Sequence, residues 1–181
     1  MTLFLATLLP GLFLAILGAV LLWNDPRVGA AARALPRSKA AAWVFFGLGA
    51  AWFLWRLSRL GESDLIFFKT PQPVMLGFAV LVVLAFFYTP DFLAVRGLCV
   101  LMLLAAEPLL YAAYMEYTHP QRLLMVTAVY IGLTAAIYLA GAPYRLRDMF
   151  DWLFRTPGRA RLAGAIVLAY GLATSASAFT Y

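Results

Sequence analysis

The chain has 181 residues, 65% of them hydrophobic and 12% charged, with 14 basic and 8 acidic side chains and a formal net charge of +6. Soluble domains carry about 45–50% apolar and about 25% charged residues, so so few charges cannot cover a 20 kDa globule in water, and a mean hydropathy of +0.88 requires the surplus apolar surface to face lipid. A single cysteine, Cys99, excludes an internal disulfide and a cysteine metal cage, and a single histidine, His119, excludes a bis-histidine haem.

A hydrocarbon core of about 30 Å takes about 20 helical residues, fewer where flanking Lys or Arg can snorkel. Six runs meet this, roughly Leu3 to Trp23, Ala40 to Trp55, Val74 to Tyr88, Gly97 to Met115, Leu123 to Gly141 and Leu162 to Thr180, the short second and third being expected to extend into flanks such as Lys39 and Arg56 or to sit where the bilayer thins. The expected fold is an all-α integral membrane bundle of six spans in one domain, 1–181. The first run lacks a basic leader and an A-x-A-like cleavage site, so it reads as a mature span. It offers Gly11, Ala15 and Gly18, and the second run Gly47 and Ala51, as small residues for close packing. Trp23, Trp43, Trp55, Tyr88, Tyr114, Tyr117 and Tyr144 fall near predicted span ends, where amphipathic rings settle. Trp52 and Trp55, one turn apart, could share an anchor face.

The segment 24–39 reads as a loop bearing Arg27, Arg33, Arg37 and Lys39. With the joint at 89–96 and the loop at 142–161, this set holds ten Lys and Arg, against four, Arg56, Arg59, Lys69 and Arg122, in the opposite set. The positive-inside rule then puts the ten-cation face in the cytosol and both termini outside a plasma (inner) membrane. Glu62 and Asp64 near Arg59 read as a solvated loop, and Leu65–Phe68 beside Lys69 as a segment able to dip into the outer interface.

Between the last two spans, Leu146, Met149, Phe150, Leu153 and Phe154 recur on one face of a helix over 144–155, with charges on the other. Arg147–Asp151 and Asp151–Arg155 are spaced as i, i+4 ion pairs. Such a helix is expected to lie on the anionic headgroup layer, with Arg27, Arg33, Arg37, Lys39, Arg145, Arg147, Arg155, Arg159 and Arg161 as headgroup contacts, or to pack on a partner subunit. Aligning 89–114 with 156–181 matches seven of 26 positions, beginning with Thr-Pro and including Gly97 with Gly164, the pattern a parallel duplication would leave.

Glu107 is the one acid well inside a run, expected near the midplane, where a charge costs about 3 kcal/mol. It should be neutral unless a cation reaches it, and no Lys or Arg is expected at matching depth in this chain. Pro108 removes an N–H and crowds the Leu104 carbonyl, leaving an acceptor at the same level. Glu107, Tyr111, Tyr114 and Thr118 form one stripe; Thr127, Tyr130, Thr134 and Tyr138 a second; Tyr170, Thr174, Ser177 and Tyr181 a third. Lipid rejects such stripes, so the last three spans are expected to turn them toward one another or a partner, with Glu107, Tyr111, Tyr130, Thr134, Tyr170 and Thr174 as the polar or ion site.

Glu116 and His119 offer two metal ligands, too few for a site, and no G-x-S-x-G, Walker A, HExxH or Asp-rich prenyl-phosphate pattern occurs. Cations confined to short membrane-side loops argue against nucleic acid. With loops all under about 20 residues, any activity belongs to the bundle or its partners. The expectation is a non-enzymatic accessory or scaffold subunit without metal or cofactor, joined to other membrane subunits or to copies of itself. The alternative is a small proton- or ion-linked transporter or channel with Glu107 as its titrating site.

Overall fold

The computed structural model describes residues 1–61 and 70–181. Glu62, Asp64, Leu65–Phe68 and Lys69 lie outside the described residues. Among the described residues all regular structure is helical. Five helices are long and apolar enough to cross a membrane: α1 (Leu3–Trp23), α3 (Lys39–Leu57), α5 (Leu93–Ala113), α6 (Arg122–Gly141) and α8 (Pro157–Ala178). Helix α4 (Gln72–Tyr88) is apolar but has 17 residues, and α2 (Pro26–Ala34) and α7 (Tyr144–Leu153) are short and polar.

Local chemistry sets the ends. The Thr2 hydroxyl accepts from the Leu5 N–H at the start of α1, and Asn24, in a left-handed conformation with φ 53°, stops it. Asp25 then caps a new helix by accepting from the Arg27 N–H, with Pro26 at its first position. The segment 24–39 is therefore not a loop: α2 and a one-turn 3-10 helix, Leu35–Arg37, occupy most of it. Ser38 caps α3 through the Ala41 N–H, and α3 carries on through Arg56, two residues beyond the expected edge Trp55. Helix α5 starts at Leu93, four residues before Gly97, and α8 starts at Pro157, ahead of Leu162.

Two helix pairs dominate the packing. Helix α1 lies antiparallel along α8 with its small residues facing those of the partner: Gly11 meets Ser175, Ala15 meets Gly171, Gly18 meets Leu168, and Leu22 meets Gly164. A side chain added at Gly18, Gly164 or Gly171 would run into the facing backbone, so glycine is what permits this approach. Helix α3 packs parallel to α5, with Gly97 against the Phe46 backbone and Gly49 against Val100. The small residues that close this pair are Gly49, Ala42 and Ala50; Gly47 faces open space and Ala51 is exposed, contrary to the sequence expectation. Helix α6 joins the two pairs through a core of Ala6, Ala106, Ala113, Met125 and Val129. The first helix is thus the main partner of the last, so the chain does not divide into three structural spans followed by three polar ones.

The 89–114 and 156–181 segments occupy unlike settings. One begins with Thr89 ending α4 and packs parallel to α3; the other enters α8 directly at Pro157 and packs antiparallel to α1. Helix α7 buries Leu146 against Val95, Cys99 and Ala136, and so places part of its apolar face on its own bundle. Its ion pairs also differ from helical spacing, because α2 lies beside it. Arg147 pairs with Asp148 at 2.9 Å, and Asp151 with Arg33 of α2 at 3.6 Å.

Candidate functional site

Glu107 is the fifteenth of the 21 residues of α5, because the helix begins at Leu93. At 1.5 Å per residue it lies about 21 Å from the start and about 9 Å from the end, in the last third of the helix rather than at its middle. A cation does reach it. One Nη of Arg56, in the last turn of α3, donates to both carboxylate oxygens of Glu107. The expectation that no Lys or Arg sits at matching depth set Glu107 near the midplane and Arg56 at the flank of the second span. The continued helix and the parallel register with α5 bring it alongside instead. Each side chain of the pair is about half exposed, 46% for Arg56 and 58% for Glu107, so the pair sits on the outer surface of the α3/α5 unit.

The expected convergence of three polar stripes does not occur. On α5, Tyr111 and Tyr114 are exposed beside Glu107. On α6, Thr127, Tyr130, Thr134 and Tyr138 all face outward and line a shallow external groove of about 560 Å³. The Thr134 hydroxyl donates to its own helix, at the Tyr130 carbonyl, 2.9 Å. Only the α8 stripe turns inward. Tyr170 donates to the Leu124 carbonyl of α6 at 2.6 Å, and Thr174, fully buried, donates to the Tyr170 carbonyl at 2.9 Å. The structure therefore brings together none of Glu107, Tyr130 and Tyr170. The stripes were legible as stripes, but their direction depended on which helix neighbours which.

The end of the bundle that carries the C-terminus of α8 holds a second cluster. The Thr7 hydroxyl donates to the Tyr181 hydroxyl at 3.2 Å, and the His119 ring packs edge-on against the Tyr181 ring at 5.2 Å. Arg122 closes the α5–α6 turn by donating to the Ala113 carbonyl while its guanidinium covers the Tyr117 ring at 5.0 Å. Among the described residues no three His, Cys, Asp or Glu side chains come together as a metal-binding group.

The cations expected at the headgroups divide by environment. Arg33 is held by Asp151 and by the Phe154 carbonyl, Arg147 by Asp148, and Arg159 lies over the Trp152 ring at 4.8 Å. Arg145 stacks on Tyr144 at 5.5 Å and Arg37 on Phe92 at 5.3 Å. Arg27, Lys39, Arg155 and Arg161 are exposed. No protein-family model matches the chain, and neither a curated protein nor a solved structure matches it significantly.

Proposed function

We propose that the chain is a multi-pass membrane protein, six helices crossing the bilayer with both termini outside, which works without catalysis as an accessory or scaffold subunit through lateral contact with other membrane helices. The accessible surface of 11443 Å² supports the membrane placement, since a folded soluble monomer of this mass exposes about 8,700 Å². Exposed Phe13, Ile16, Ile131 and Ile166 are among the many apolar side chains that contribute to it. In this arrangement α4 spans at the short limit of about 17 residues, and the Arg-rich α2 and α7 lie on the cytosolic side.

The observation that carries the scaffold reading is the outward face of α6. Two threonines and two tyrosines stand in line on a helix otherwise suited to lipid; the Thr134 hydroxyl returns to its own helix, but the Tyr130 and Tyr138 hydroxyls face outward where acyl chains cannot satisfy them and a partner helix can. The ion-linked alternative draws less support, because Glu107 is paired with Arg56 on the exposed side of α3 and α5 and, among the described residues, lines no enclosed pathway with Tyr130 or Tyr170. A photo-crosslinker at position 130 is expected to trap a second polypeptide in membranes, whereas the same probe at Leu162, 65% exposed on an apolar face, is expected to trap none. Equal trapping at both positions, or none at either, would contradict the reading.

A further inference from the structure

Helix α4 is the least embedded of the apolar helices, with no buried residue. It meets the rest of the chain through aromatic contacts: Trp43 stacked on Phe86 at 4.4 Å, Phe46 edge-on to Phe86 at 5.2 Å, and Phe53 edge-on to Phe78 at 5.1 Å. Beside these props the helix stands off the α3/α5 pair and leaves two hollows. The one at the inner end, about 550 Å³, has Arg37, Ser38 and Lys39 at its mouth and Trp43, Val82 and Phe86 on its walls. The second, about 330 Å³, continues outward between Phe46, Phe53, Val100 and Leu104 and shares Val82 with the first.

We propose that this crevice binds one anionic phospholipid from the Arg37 side, its phosphate at Arg37 and Lys39 and an acyl chain running past Val82 toward Phe53. The volumes fall in the range of small-molecule sites. The polarity divides as such a lipid requires. No acidic residue lines the mouth, and the ion pairs among the described residues, Arg33–Asp151, Arg56–Glu107 and Arg147–Asp148, leave Arg37 and Lys39 without a carboxylate. The same mouth is the N-terminus of α3, where the Ser38 hydroxyl takes only the Ala41 N–H and no acid stands in the first turn, so the helix end adds to the attraction for an anion. Beyond the mouth every wall of the outer hollow is hydrocarbon or aromatic, which accepts an acyl chain and offers a polar ligand nothing.

Trp43 lines the crevice and reports on it. The full chain, with Trp23, Trp52, Trp55 and Trp152 replaced by Phe, is placed in phosphatidylcholine vesicles containing a minor fraction of lipid brominated on the acyl chain. Two cations near the surface give an expected enrichment of roughly thirtyfold for brominated phosphatidylglycerol over brominated phosphatidylcholine, read as quenching of Trp43. Arg37→Ala with Lys39→Ala abolishes the enrichment, Arg37→Lys with Lys39→Arg retains it, and Val82→Phe, with both cations intact, lowers it by narrowing the acyl path. Equal quenching by the two lipids, or an enrichment that survives the double alanine change or Val82→Phe, overturns the site. Absence of quenching by both lipids overturns it together with the membrane placement on which it rests.

Discussion

Arg56 and Glu107 stand 51 positions apart, the same spacing that separates Phe46 from Gly97 and Gly49 from Val100, so their pairing is the outermost rung of one parallel helix register. The glycine contacts fix the register and the ion pair follows from it. Removing one charge leaves the other uncompensated, and because the pair is about half exposed near the end of α5 the loss is expected to be smaller than the roughly 3 kcal/mol of a charge at a helix centre. Arg56→Met and Glu107→Leu are each expected to lower the thermal midpoint in detergent, and the double substitution to recover most of the loss. A double variant as unstable as the sum of the singles would show that the two side chains do not interact.

The glycines differ in what surrounds them, and their substitutions should differ accordingly. Gly171→Ala drives a methyl group into the Ala15 backbone and is expected to cost about 1–3 kcal/mol, an overpacking effect. Gly47→Ala places its methyl where nothing lies within 4 Å, so the better helix former should gain up to about 1 kcal/mol. Unfolding of the two variants in the same detergent compares them directly.

Tyr170 and Tyr130 are both span tyrosines, but one is bonded across helices and the other faces outward. Tyr170→Phe forfeits the bond to the Leu124 carbonyl and should lose about 0.6 kcal/mol, up to about 1.7. Tyr130→Phe in the isolated chain should change nothing measurable, its effect appearing only where a partner is present.

Composition and hydropathy made the helical class legible, and the apolar runs located the long helices to within a few residues. Helix α2 was also within reach of local reading, since Asp25-Pro26 is a cap followed by proline at the first helical position. It was hidden because a charged segment between apolar runs was treated as loop. The pairing of α1 with α8 and of α3 with α5 was not legible, because periodicity marks the faces of a helix and says nothing about its neighbour. That missing link misplaced the polar site. The stripe on α8 faces α6, whereas those on α5 and α6 face outward, because α5 packs on α3 and α8 on α1. The pairing of Arg56 with Glu107 was not legible for the same reason, since it follows from the α3/α5 register.

The central claim is that these helices thread a bilayer with the α2/α7 layer inside and both ends outside, and cysteine labelling in intact cells tests it most directly. In a Cys99→Ala background, Tyr117→Cys, at a site 75% exposed beyond α5, and Gly158→Cys, in open space at the start of α8, each provide one thiol. A membrane-impermeant maleimide is predicted to label position 117 in intact cells and position 158 only after permeabilisation. Labelling of position 158 in intact cells, or recovery of the chain in the soluble fraction, would contradict the account.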